Sequence, residues 1–104
     1  MLFKKLTLYL GIGNHTFDSL QWQTKPNKRK CFLKDIIESG FLIGMTEKEV
    51  VTTLGIEFRK YTTGVWSYRI DTWYSFKKRS VLNLYFNAEG RVALVKLKYK
   101  IMRR

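Results

Sequence analysis

The stretch Gly44–Gly55, GMTEKEVVTTLG, decides the fold because it specifies where a short helix begins and ends. Thr46 is a preferred N-cap residue, and Glu49 follows three positions later, so the two residues form a capping box. Gly55 lies where a helix would need its left-handed C-terminal residue. We therefore predict a helix over Glu47–Leu54. A helix of this length is not stable alone in water, so it must pack against another element.

Upstream of this stretch, the sequence predicts a first helix over Lys28–Ser39, ended by Gly40. Residues 13–27 read as an irregular connection that contains the only proline. Two large aromatic side chains in this connection should pack back on the domain, Phe17 and Trp22. The apolar residues of the first helix form one stripe: Phe32, Leu33, Ile36 and Ile37.

Downstream, from Ile56 to Ile101, the pattern changes to the alternation of strands. The sequence predicts one face formed by Trp66, Tyr68, Ile70, Thr72, Tyr74 and Phe76, opposite Ser67, Arg69, Asp71 and Trp73. Residues 87–90, NAEG, predict a hairpin turn. The last strand, Val92–Ile101, should direct these residues inward: Ala93, Val95, Leu97, Tyr99 and Ile101.

These patterns predict an α+β fold in two layers. Two N-terminal helices pack on one face of a three-stranded antiparallel sheet, and residues 58–63 are compatible with a further short strand. At 104 residues, the chain is expected to form a single domain.

The charge of the chain is strongly positive and unevenly distributed. The formal net charge is +12. Residues 58–104 contain twelve basic and two acidic residues, whereas residues 35–57 contain five acidic residues and one basic residue. Such a balance favours an anionic partner, which could be nucleic acid, an anionic membrane surface or an acidic protein.

The residues that could support catalysis or metal binding are few. The single cysteine, Cys31, cannot form an internal disulfide, and together with the single histidine it cannot build a zinc site. We expect Cys31 to be a buried thiol. His15 and Asp18 lie in a predicted loop with no nucleophile nearby, and a solvated helix surface explains Asp35 and Glu38. The sequence therefore predicts a protein that is not an enzyme, with no cofactor, metal or small-molecule substrate.

The first residues, MLFKKLTLYLGIGNH, are open to two interpretations. Two lysines before a short apolar run resemble a leader peptide, but no small-residue cleavage site follows. The alternation of leucine with threonine and tyrosine fits an extra strand equally well. No apolar run approaches the roughly 18 residues that a membrane-spanning helix requires.

The order of these signals resembles the SmpA/OmlA (BamE-like) domain of bacterial outer-membrane lipoproteins, in its Bacteroidetes-type variant. The likeness covers about residues 17–98 and includes the upstream segment FDSLQWQTKPNKRKCFLKDIIES. The residues that match the family pattern are Gly44, Met45, Thr46, Glu49, Val50, Leu54, Gly55, Trp66, Tyr68, Leu82, Leu84, Phe86, Asn87, Gly90 and Val92.

The resemblance implies a non-enzymatic scaffold that contacts partner proteins and anionic phospholipid. It favours a protein-interaction module, an accessory or inhibitory subunit of an envelope-associated bacterial complex. It also favours an envelope or periplasmic location, whereas a native start at Met1 without leader cleavage would make the protein cytoplasmic. The oligomeric state stays open.

The charge favours a second function, a binder of nucleic acid or anionic lipid through the basic C-terminal half. Lysines spaced by two share one face of the last strand, although repeated lysine also protects an exposed strand from aggregation. An aromatic residue beside the basic run at 77–79 could stack a base or anchor a partner. Because a turn at 87–90 brings residue 80 opposite roughly residue 97, we expect one basic patch. The predicted site residues are Trp73, Lys77, Lys78, Arg79, Arg91, Lys96, Lys98 and Lys100.

Overall fold

The computed structural model describes residues 15–73 and 78–101. Four helical segments come first: α1 (Ser19–Thr24), a 3₁₀ helix (Pro26–Phe32), α2 (Leu33–Ser39) and α3 (Glu47–Leu54). Four strands follow: β1 (Phe58–Tyr61), β2 (Val65–Trp73), β3 (Lys78–Phe86) and β4 (Val92–Ile101). The predicted α+β class is therefore confirmed.

Helix α3 has its predicted bounds and its predicted capping box, but Gly55 does not adopt the left-handed conformation. The Thr46 hydroxyl accepts from the Glu49 amide at 3.2 Å, and the Glu49 carboxylate accepts from the Thr46 amide at 2.9 Å. Gly55 ends the helix with φ 90° and ψ −175°, a backbone conformation that side chains disfavour but outside the left-handed helical region. Local capping chemistry thus suffices to define α3.

The first predicted helix is divided in the structure, and the connection before it is not irregular. Residues 26–32 form the 3₁₀ helix, and only 33–39 are α-helical, ending at left-handed Gly40. The predicted loop contains α1, capped by the Asp18 carboxylate, which accepts from the Gln21 amide at 3.0 Å. As expected, the loop packs back on the domain, because Trp22 is fully buried.

Among the described residues the sheet has four antiparallel strands in the order β1-β2-β3-β4, one more than the three predicted, and the additional strand lies within residues 58–63, which the sequence had left open. The extra strand, β1, pairs Phe58 with Tyr68 at one end and Tyr61 with Val65 at the other. Residues 87–90 form the predicted turn between β3 and β4, where the Gly90 amide donates to the Asn87 carbonyl.

Two β-bulges interrupt the predicted alternation. In β2 the register shifts between Arg69 and Asp71, which interrupts the face predicted from Trp66 onward, and Tyr74 and Phe76 of that face lie outside the described residues. In β4 the partners change from Phe86↔Val92 to Tyr85↔Leu94, which leaves Ala93 as the extra residue. Ala93 is exposed and Val92 is buried, so the inward position predicted for Ala93 is wrong.

The helices pack on one face of the sheet, and the core lies between the two layers. Phe32, Leu33 and Ile36 are buried as predicted, but Ile37 is exposed because it lies at the outer edge of the stripe. Cys31 is only partly buried, contrary to expectation. Tyr99 is exposed, although its pairing with Ser80 places it on the same face of the sheet as Leu97. The buried apolar side chains of the sheet are Trp66, Tyr68, Ile70, Leu82, Leu84 and Val92.

Candidate functional site

The face of the sheet opposite the helices has no described helix packed on it. Its residues follow from the register, because side chains alternate between the two faces of a sheet. One row across the strands is Arg59–Ser67–Asn83–Lys96, and the next is Arg69–Val81–Lys98. A third row is Tyr61–Val65–Tyr85–Leu94. We call the surface formed by these eleven residues the open face.

Four cations lie on the open face, and all four side chains are exposed: Arg59, Arg69, Lys96 and Lys98. None of them forms an ion pair with another residue that the structure describes. None of the eleven residues is acidic. The open face is therefore a positively charged surface that could bind an anion without first breaking an internal ion pair.

A shallow depression of about 710 Å³ lies on this surface. Arg59, Arg69 and Lys98 contribute to its walls, and the small, buried Ser67 lines it between them. Glu57 also lines the depression and is its only acidic residue among those described. The three cations outnumber Glu57, so the depression favours an anionic group such as phosphate, carboxylate or sulfate.

Arg29 supports the depression from the edge of the sheet. Its side chain is 2% exposed, and it donates to the Trp22 carbonyl at 2.8 Å and to the Arg69 carbonyl at 2.9 Å. Burial lowers the pKa of Arg29, partly offset by Glu57 at 3.7 Å. Arg29 thereby joins the helical layer to the backbone of β2 directly beneath the exposed Arg69.

The structure brings only part of the predicted site together. Lys96 and Lys98 lie on the open face as predicted. The backbone pairs Arg79 with Lys100 and Trp73 with Lys78. Residue 80 pairs with Tyr99 rather than with residue 97, and Lys77 lies outside the described residues.

Arg91 does not belong to the same surface. It forms an isolated bridge with Thr46 next to the turn at 87–90, and its guanidinium donates to the Gly44 carbonyl at 2.8 Å. This contact joins the turn to the segment before α3. Arg91 therefore stabilises the contact between the turn and the segment before α3. This contact lies at the end of the sheet away from Lys98 and Lys100.

Sequence reasoning missed Arg59, Tyr61 and Tyr85 as members of this surface. Arg59 and Tyr61 lie on β1, which was left as an optional strand, so their face could not be assigned. The alternation in β2 placed Arg69 on the face of the sheet that points away from the core. The same alternation in VLNLYF placed Tyr85 and Leu84 on opposite faces. The missing information was the pairing of β1 with β2, which brings Arg59 into the row of Ser67.

The residues considered for catalysis have structural contacts. Asp18 caps α1, and the Asp35 carboxylate accepts from the Phe17 amide at 2.8 Å. The His15 ring lies against Phe32, with 6.4 Å between centroids. Within the described ranges, no three His, Cys, Asp or Glu side chains are grouped as a metal site, and no helix is long and apolar enough to cross a membrane.

Comparison with family models, with curated proteins and with solved structures finds no match for this chain. The likeness to the SmpA/OmlA domain therefore stays a prediction. The feature of the structure that bears on function is the geometry of the open face.

Proposed function

We propose that this chain is a non-enzymatic binding module that binds a polyanion through the open face of its sheet. The observation that carries the proposal is the placement of Arg59, Arg69, Lys96 and Lys98 on one exposed surface without acidic partners among the described residues. Like charges on one surface repel each other, and a polyanion removes that repulsion while it releases its own counterions.

The layout of the sheet supports binding over a surface rather than at a point. The cations come from three strands, β1, β2 and β4, so the charge extends across the width of the sheet. Adjacent strands lie about 4.8 Å apart, so the outer strands are separated by about 14 Å. A polymer that crosses the sheet can contact cations on both outer strands at the same time.

The test is a comparison of two charge reversals with the same net charge. One variant carries Lys96→Glu and Lys98→Glu on the open face, and the other carries Lys28→Glu and Lys48→Glu on the helical side, where both lysines are exposed. Binding to heparin, a generic polyanion, is measured by calorimetry at two salt concentrations. We expect the open-face variant to lose most of its affinity and the control variant to keep most of it.

Equal losses of affinity in the two variants would refute the proposal. If both variants lose affinity to the same extent, only net charge matters and the open face is not the binding surface. Thermal unfolding of both variants checks that the fold is intact, because exposed substitutions of this kind change stability little.

A second candidate is the accessory or inhibitory protein subunit that the family resemblance suggests. The observation in its favour is on the helical side, where Leu20 is 71% and Ile56 is 76% exposed. Leu20 is close in sequence to Gln23, and Ile56 follows Gly55. Gln23 packs against Gly55, and this contact joins α1 to the end of α3. Large apolar side chains are enriched in protein interfaces. Replacing Leu20 and Ile56 by serine should then abolish capture of a partner protein that the open-face charge reversal retains.

A further inference from the structure

Tyrosines adjoin the cations of the open face in a regular arrangement. Tyr61 and Tyr85 lie in the row next to that of Arg59 and Lys96. The Tyr61 side chain is 40% exposed, and the Arg59 guanidinium lies 5.9 Å from its ring centroid. An aromatic row therefore lies directly beside a cationic row, at the end of the sheet away from Arg69.

The two rows run side by side across the sheet. They are two residues apart along each strand, which corresponds to about 6.8 Å. A single strand of nucleic acid that crosses the sheet can therefore place its phosphates over the cationic row and its bases over the aromatic row beside it.

We propose that the polyanion bound by the open face is single-stranded nucleic acid that crosses the sheet, with a base stacked on Tyr61 and phosphates of the same strand on Arg59, Lys96 and Lys98. This inference rests on the proposed function and names its partner. Stacking on tyrosine tolerates any sequence because every base has a π-face, so binding is expected to depend weakly on sequence.

The shape of the surface favours a single strand over a duplex. Proteins that read a duplex insert a protruding helix or ribbon into a groove, whereas the open face is a sheet surface with a depression in it. A duplex also keeps its bases paired and stacked, so Tyr61 would have no base to contact. An acidic peptide or an anionic lipid headgroup would use the cations but not the aromatic row.

The experiment measures fluorescence anisotropy of a labelled twelve-nucleotide oligo(dT), a duplex of the same length, and heparin. Tyr61→Leu removes the ring, and Tyr61→Phe keeps it. We expect Tyr61→Leu to weaken oligo(dT) binding about tenfold, Tyr61→Phe to bind like the parent, and heparin binding to be the same for all three. Circular dichroism and the melting midpoint confirm that Tyr61→Leu is folded.

Salt dependence gives a second, independent measure. Three phosphate contacts predict that log K falls with log salt concentration with a slope of about −2.1 for a single strand. Replacing Lys96 and Lys98 by glutamine removes two of the three contacts, so the magnitude of the slope should fall to about 0.7.

Several outcomes overturn this inference while leaving the proposed function in place. The first is that Tyr61→Leu binds oligo(dT) as tightly as the parent does. The others are that the parent binds the duplex, or vesicles that contain anionic phospholipid, more tightly than it binds oligo(dT). In each of these cases heparin binding still depends on Lys96 and Lys98. If heparin binding does not depend on these lysines, the proposed function fails as well.

Discussion

Replacing Arg29 should destabilise the contact between the helical layer and the sheet. β1 begins opposite Tyr68, so Arg69 has no partner on β1, and its carbonyl accepts from the Arg29 guanidinium instead. Arg29 also donates to the Trp22 carbonyl and lies 4.9 Å from the centroid of the Trp22 ring. Its contact with Glu57 is weaker, at 3.7 Å, and Glu57 is 72% exposed.

Arg29→Met separates these contributions because methionine conserves much of the volume but leaves two carbonyls without their donor. Each hydrogen bond from a charged donor contributes about 1.5–3 kcal/mol to the free energy of unfolding. Removal of the buried charge also removes its desolvation cost, so we expect a net loss of about 2–4 kcal/mol. Glu57→Gln should cost less than about 0.5 kcal/mol because exposed ion pairs contribute little. Arg29→Lys should be intermediate, since one ammonium cannot reproduce the guanidinium fork.

The assay is urea unfolding followed by tryptophan fluorescence, with the m-value checked for constancy across the series. A loss of this size is a large part of the stability of a small domain, typically about 5–15 kcal/mol. The reasoning is refuted if Glu57→Gln destabilises the protein as much as Arg29→Met, because the ion pair would then be the main anchor. It is also refuted if Arg29→Met is neutral.

Three further outcomes test the helical layer. Leu54→Ala truncates a fully buried side chain and should cost about 2–5 kcal/mol, whereas Ile56→Ala, at a 76% exposed position, should change the urea midpoint little. Thr46→Ala removes the N-cap and should cost about 1 kcal/mol by the same assay. Burial raises the pKa of Tyr68, whose hydroxyl donates to the Gly55 carbonyl at 2.8 Å. The folded state therefore favours the neutral phenol. The contribution of Tyr68 to the free energy of unfolding is complete below the unfolded pKa of about 10 and is lost as pH rises above it. Tyr68→Phe should reduce the fall of the melting midpoint at alkaline pH.

The helices show which local signals the sequence carries. α3 was predicted to the residue because its boundaries depend on Thr46, Glu49 and Gly55, whose effects act within a few positions. α1 was missed because its six residues contain a single buried side chain, Trp22, and so show no apolar stripe. Its helix depends on tertiary contacts, such as the Ser19 hydroxyl donating to the Thr53 carbonyl at 2.6 Å, that no local pattern reveals.

The strands show a similar division. The hairpin of β3 and β4 was predicted because both strands are long and separated by turn residues. β1 was left optional because three of its four residues are exposed, so its alternation is hidden. Its core contacts are made by Phe58, whose ring centroid lies 4.0 Å from that of Trp66 and 5.4 Å from that of Tyr68. These partners are eight and ten positions away, and the contacts have no sequence signature.

The register of β4 explains why the site was predicted only in part. The turn is one residue longer than a four-residue turn, because the Asn87 amide donates to the Arg91 carbonyl and pairing begins at Phe86↔Val92. The bulge at Ala93 adds a second residue, so the pairing is shifted by two residues from the predicted one. A shift of one alone would pair Lys96 and Lys98 with the core-facing positions of β3 and turn the lysines towards the helices. The two irregularities together restore the parity, so that Val95 and Leu97 pack against the core while the lysines stay on the open face. Alternation therefore predicted which residues of β4 face the core and which lie on the open face. It could not predict the residue on β3 that pairs with each lysine, because this pairing depends on two irregularities that alternation cannot detect. The rows of cations and tyrosines depend on the same pairing.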